Sequence, residues 1–348
     1  MNAGRRRGHR VARAERAEAR VRLFFVTSSE PSSPSNHAVQ PSRAKVLTIL
    51  TVGILAVSMS AIFIRYARDS SLSSNGAFGV LIAAGRIAVA SLLTAPFGFA
   101  AVQRERITLE PRVFQKAVWL AVAAGVSLAA HFAFWISSLS FTSVAASTTI
   151  VTTNPIWLSI FAWLVWKQIP TRGVIVGIAI AFAGGVLVAV GDGSRQGATF
   201  SNPLLGNGLA LLGAFAVSSY YLLGKAAQAG GLSLSAYTGI AYTTAAMVLA
   251  PLPFLFGVAY TGYPLETYLW IALLGLVPQV IGHTSFNWAV RYLDPAIVTM
   301  VILLEPIGSS IAAVILFNEI PGVPTVIGAA LLLIGVFVAI RAPSPQKA

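Results

Sequence analysis

Four ionisable side chains, Arg86, His131, His283 and Glu305, sit inside long apolar runs of this chain. A charge near the centre of a bilayer costs at least about 2.5 kcal/mol on insertion scales, so such residues are rarely accidental. The guanidinium of Arg86 is a planar fork that suits a carboxylate or a phosphate, and it suits equally a fixed counter-ion role opposite Glu305. Glu305 is followed by Pro306. The proline has no backbone N–H, which frees a carbonyl one turn earlier and bends the helix at the acid. Such a carboxyl can carry a proton, hold the cationic end of a solute, or serve as a structural partner for Arg86.

The histidines come with neighbours. His131 and Trp135, and likewise His283 and Asn287, are four residues apart. That spacing places each pair on one helix face, where it can border a polar cavity. No second histidine or carboxylate lies nearby in sequence, so we expect no metal site. The chain has no cysteine, which removes disulfides, thiolate metal sites and cysteine nucleophiles. Among the aromatics, Trp157, Tyr220, Tyr221, Tyr242 and Trp288 suit either a pocket wall or the interfacial belt. Tyr220 and Tyr242 lie deeper than a belt requires and are the better cavity candidates.

The elements that must position these residues follow from composition. The 348 residues are 56% hydrophobic and 10% charged, whereas soluble domains carry about 25% charged residues. The apolar residues come in continuous blocks of about 20, the length of a membrane-spanning helix. Continuous rather than alternating runs indicate helices and not barrel strands. We expect an all-α integral membrane protein with ten transmembrane helices, at 44–65, 76–98, 114–138, 143–166, 171–190, 204–225, 235–257, 267–290, 295–317 and 322–341. Breakers divide them: Pro170, Pro264, Pro295, Pro321 and the Gly-Asp-Gly at 191–193.

The net charge of +13 does not indicate nucleic acid. Eight arginines fall between Arg5 and Arg22, ahead of a Ser/Pro-rich run from Ser28 to Ser42. Residues 1–43 therefore read as a disordered basic cytoplasmic tail, with a start placed too early or a transit peptide as alternatives. Residues 342–348 form a short C-terminal tail. With the N-terminus in the cytoplasm, the inner connections hold Arg104, Arg106, Arg112, Lys116, Lys167, Arg172, Lys225 and Arg291, and the outer ones only Arg65, Arg68 and Arg195. The excess of basic residues belongs inside, so both termini are expected to be cytoplasmic.

The chain also repeats itself at an offset of 151 residues. Asn154-Pro155-Ile156 matches Glu305-Pro306-Ile307, and Lys167-Gln168-Ile169-Pro170 matches Asn318-Glu319-Ile320-Pro321. Trp119 matches Trp270, Ala145 matches Ala296, Gly177 matches Gly328, and Gly184 matches Gly335. A run of matches in one register marks an internal repeat. Residues 44–191 and 203–341 are then two repeats of five helices each. An odd number per repeat inverts the second relative to the first, which is the architecture of alternating-access carriers. Asn154, as the mate of Glu305, can line the cavity between the repeats or pack between helices. The glycine pairs are expected to let helices pack closely, with contact between two copies as the alternative.

These motifs resemble the drug/metabolite transporter superfamily, and within it the EamA-type exporters, the YddG-like amino-acid exporters among them. The resemblance spans residues 44–341. Such families often carry Glu-Arg or Gly-Glu where this chain has Lys167-Gln168, so the first repeat lacks that acid. The resemblance implies two inverted five-helix repeats around a central cavity, in the inner membrane of a bacterium, without nucleotide hydrolysis. It implies export of amino acids or related small metabolites. The expected partners are a small-molecule substrate and the lipid bilayer, no nucleic acid, and no cofactor, with the chain a monomer or a homodimer. A passive channel or facilitator is the alternative. A membrane-embedded enzyme is weaker still, because Asp69, Asp192 and Asp294 all fall in expected loops and leave Glu305 without an acid–base partner.

Overall fold

A computed structural model of the chain describes residues 41–72, 77–142, 147, 150–166, 169–193, 202–317 and 322–342. Residues 1–40 of the expected basic tail, the Lys167-Gln168 and Asn318-Glu319-Ile320-Pro321 parts of the repeated motifs, the start of the 143–166 span and the last residues of the C-terminal tail lie outside the described residues. The described residues form helices and no strand. They are α1 (Arg43–Ser58), α2 (Ser60–Ser71), α3 (Phe78–Thr108), α4 (Pro111–Ser138), α5 (Asn154–Trp166), α6 (Arg172–Gly193), α7 (Pro203–Ala229) and α8 (Leu234–Leu249). There follow a short α9 (Leu252–Leu255), α10 (Leu265–Leu274), a π-helical segment (Gly275–His283), α11 (Thr284–Ala289), α12 (Pro295–Ile302), α13 (Glu305–Phe317) and α14 (Val323–Ile340).

Helix starts carry recognisable caps. The Glu110 carboxylate accepts from the Val113 N–H at 2.9 Å, and the Asn202 side-chain oxygen accepts from the Leu205 N–H at 3.1 Å. Each satisfies a donor that the first turn leaves without an intrahelical partner. Both caps precede a proline, whose fixed φ suits the first helical position.

Among the described residues, seven helical stretches are long and apolar enough to cross a membrane: Arg43–Ser71, Phe78–Thr108, Pro111–Ser138, Leu204–Ala229, Leu234–Leu255, Leu265–Ala289 and Ile297–Leu316. Three shorter apolar helices, Asn154–Val165, Arg172–Leu187 and Val326–Ala339, fall where the remaining spans were expected. Large apolar side chains such as Leu92, Phe97, Met247 and Ile315 are exposed, as on a surface solvated by lipid tails.

Several boundaries differ from the sequence reading. The first span continues to Ser71 and the second to Thr108, so Arg65, Arg68, Arg104 and Arg106 are helical. Gly191-Asp192-Gly193, expected to follow the end of the 171–190 span, forms the last residues of α6. No proline interrupts residues 59–71 or 97–108, and Arg and Glu are good helix formers once a helix leaves the hydrocarbon. Hydropathy marks the edge of the apolar run and not the end of the helix.

The repeat is visible in the breaks. One helix stops at Thr152-Thr153 and restarts at Asn154; another stops at Leu303-Leu304 and restarts at Glu305. These positions are related by the same 151-residue offset. Helices α6 and α14 pack along one another. A Cβ added at Gly177 would lie 2.7 Å from the Gly335 carbonyl oxygen, and one at Gly184 would lie 2.6 Å from that of Gly328. Rising numbers on one helix meet falling numbers on the other, so the pair is antiparallel. The repeat operation exchanges one contact for the other.

Candidate functional site

A small cavity of about 40 Å³ lies where the two helix breaks meet the rest of the bundle. Asn154, Val151 and Thr152 border it from the first break, and Glu305 and Ile302 from the second. Pro155 cannot donate to the Val151 carbonyl, nor Pro306 to that of Ile302, since neither has an N–H. Glu305 begins α13, where a carboxylate also meets the positive end of the helix dipole. Its backbone is pinned to α1: Ser58 Oγ donates to the Glu305 carbonyl at 3.5 Å, and Ser309 Oγ donates to the Ser58 carbonyl at 2.8 Å.

Arg86 enters the cavity from α3. It is 1% exposed. Its Nε donates to the Gln279 side-chain oxygen at 3.0 Å and its Nη1 to Ser60 Oγ at 3.1 Å. The Phe132 ring lies under the guanidinium, 4.3 Å from its carbon. No Arg86–Glu305 ion pair occurs within 4.0 Å, in contrast to the exposed Arg65–Asp69 pair at 3.9 Å. Both charges thus face one space without touching.

Helix α4 contributes His131 and Trp135, stacked 5.8 Å apart with a 10° interplanar angle. His131 Nδ1 lies 3.0 Å from the Gly213 carbonyl oxygen on α7. A carbonyl only accepts, so this contact places the proton on Nδ1. His283 borders the cavity at the end of the π segment, its Nδ1 3.5 Å from the Tyr221 hydroxyl. Two buried lining atoms have no hydrogen-bond partner among the described residues: the indole Nε1 of Trp135, a donor, and Oδ1 of Asn154, an acceptor. A buried polar atom left unpaired costs about 1–3 kcal/mol, which a bound polar solute or water would recover.

Arg86, His131, Trp135, Asn154, His283 and Glu305 therefore share one cavity. Tyr220, Tyr242 and Asn287 do not border it. Asn287 Nδ2 donates to the Tyr220 hydroxyl, and to that of Tyr242 at 3.2 Å. The Tyr242 hydroxyl lies 3.1 Å from Thr284 Oγ1, and Gln228 Nε2 donates to the Asn287 carbonyl at 3.1 Å. These residues form a packed polar cluster instead. His283, the last residue of the π segment, borders the cavity, whereas Asn287 one turn on is held in this cluster by the Tyr220 and Tyr242 hydroxyls, so the pair does not line the cavity together. Tyr221, left open between a pocket wall and the belt, reaches the cavity. Gln279 and Ser60, the partners of Arg86, were not singled out from the sequence. A lone glutamine after Pro278 in an apolar span was the available signal.

No group of three or more His, Asp or Glu suited to a metal ion occurs among the described residues.

Helices too apolar for water, arranged as two repeats around a buried polar cavity, define a multi-pass membrane protein of the transporter class. The model of the EamA-like transporter family matches residues 43–190 and again 204–341; the chain belongs to this family. A protein of Archaeoglobus fulgidus described as an uncharacterized transporter is 25% identical over 268 residues, which cover 75% of this chain and 88% of the relative. A Clostridium kluyveri protein of the same description is 21% identical over 204 residues, 57% of this chain and 64% of the relative. One crystal structure shares the fold at a TM-score of 0.66 and 18% identity, covering 86% of this chain and 97% of the other. The family and the descriptions of these relatives indicate a transporter and not an enzyme.

Proposed function

We propose that this protein is a secondary transporter that exports amino acids or related small metabolites across the bacterial inner membrane by alternating access. Its ten helices, including the three short apolar ones, span the membrane as two inverted repeats, residues 44–191 and 203–341, with both termini in the cytoplasm. The observation that carries this reading is the pair of equivalent helix breaks, which bring Asn154 and Glu305 to one cavity beside Arg86. The antiparallel contact of α6 with its repeat mate α14 supports inversion, since equivalent helices run in opposite directions. The cavity of about 40 Å³ has room for about three water molecules. A solute of amino-acid size enters only if the helices move, which favours a carrier over an open pore.

Purified protein in liposomes, loaded with a panel of labelled amino acids, nucleobases and cationic drugs, tests this directly. A carrier exchanges label for unlabelled solute and saturates. Flux that rises linearly with concentration and shows no exchange supports the channel reading instead.

A further inference from the structure

The partners of Arg86 are unusual in what they lack. A guanidinium 1% exposed among apolar helices would ordinarily be expected to pair with an acid. Here its three close neighbours are an amide oxygen, a hydroxyl and an aromatic ring, those of Gln279, Ser60 and Phe132. They fix the plane of the fork but do not cancel its charge. The two hydrogen bonds run from Nε and Nη1. Gln279 is itself fully buried and does not border the cavity. It sits in the middle of the π segment Gly275–His283, with its side-chain amide beside the Tyr242 hydroxyl but outside good hydrogen-bond geometry to it. A glutamate at this place would fill the same volume and make the same contact, but it would neutralise the fork.

We propose that Gln279 is a positioning and specificity-determining residue: it aims Arg86 into the cavity with its charge unspent, so that the solute recognised there is one that carries a carboxylate. The inference rests on the transport reading above and narrows it. An arginine already paired with an acid offers little to a second carboxylate, whereas an oriented fork whose facing acid, Glu305, lies across the cavity beyond ion-pair distance gains a bidentate, charge-assisted contact on binding. Glu305, across the same cavity and beyond ion-pair distance, is left for the cationic end of a zwitterion. Neutral nucleobases and permanently cationic drugs use neither feature of Arg86.

The test uses the full-length protein in detergent, with L-amino acids and their C-terminal amides as probes. An amide keeps the ammonium and side chain but removes the carboxylate charge. Wild-type protein is expected to be stabilised thermally by at least one acid and not by its amide. Q279E is expected to melt no lower than wild type and to bind that acid about tenfold or more weakly. Q279M, which removes the acceptor and adds no charge, is expected to lower affinity while still preferring acid to amide, and it keeps the test open if Q279E does not fold. Equal stabilisation of wild type by acid and amide overturns the inference, as does a folded Q279E with wild-type affinity for the acid, or a folded Q279M that binds acid and amide alike. If no amino acid acts on the wild type, acetate and propionate are compared with acetamide and propionamide. A preference for the acids then retains the inference and removes the amino-acid reading; no preference overturns both.

Discussion

Asn154 and Glu305 hold the same place in the two repeats, each as the first residue of a helix that restarts after a two-residue break, and they border one cavity. One repeat thus supplies a neutral amide where the other supplies a carboxyl. The pseudo-symmetry of the bundle gives equivalent positions, and the chemistry differs within that frame: Thr152-Thr153-Asn154 in one repeat corresponds to Leu303-Leu304-Glu305 in the other.

Because Glu305 and Arg86 are not in contact, removing either charge should not break an ion pair. Glu305→Gln is expected to change stability by less than about 1 kcal/mol and to reduce transport strongly. Arg86 and Glu305 share a cavity without forming an ion pair, so the effects of Glu305→Gln and Arg86→Gln on thermal stability are expected to depart from additivity by about 0.5–1 kcal/mol. Thermal unfolding of both single variants and the double variant measures this. A coupling of about 3 kcal/mol would instead reveal a buried pair.

The contact between α6 and α14 leaves no space for side chains at its glycines. A Cβ at Gly184 would already lie 2.7 Å from the Leu332 nitrogen as well as against the Gly328 carbonyl. Gly184→Val is therefore expected to cost about 1–3 kcal/mol or more through overpacking. Gly208→Ala, where nothing lies within 4 Å, should be neutral in that respect. The yield of monodisperse protein and its melting temperature distinguish the two.

The cluster around Asn287 is expected to be structural. Asn287→Leu leaves the Tyr220 and Tyr242 hydroxyls without the amide that now donates to both. A cost of about 1–3 kcal/mol follows from stranding buried polar groups. Tyr242→Phe, outside the cavity, should leave the KM for solute near the wild-type value while lowering the melting temperature. A large rise in KM in this variant would place the cluster in the binding path.

Topology can be read in a chain without cysteines. Ala229→Cys, at the end of α7, should react only from the cytoplasmic side with an impermeant maleimide. Thr261→Cys, ahead of α10, should react only from the outside. Both positions are exposed. The reverse pattern would invert the proposed orientation, and labelling of both from one side would remove the membrane crossing between them.

Some of this protein was settled by the order of its residues. Long apolar blocks have one stable form in lipid, so helical class and membrane location follow from composition. The 151-residue register and Pro306 marked a bend at Glu305 and its mate Asn154, but not that each helix stops for two residues there, since a proline need not end a helix: Pro96 lies inside α3. The ionisable residues found in the apolar runs share the cavity for a related reason: charge inside a bilayer must face the interior of the bundle. Tertiary structure decided what those residues touch. Sequence left Arg86 open between a free fork and a counter-ion to Glu305, since the distance between two helices depends on how every intervening side chain packs. Gln279 became visible only as the partner of Arg86. Tyr221 and not Tyr220 borders the cavity, because adjacent residues on a helix point about 100° apart and only packing fixes the rotation of the helix that carries them.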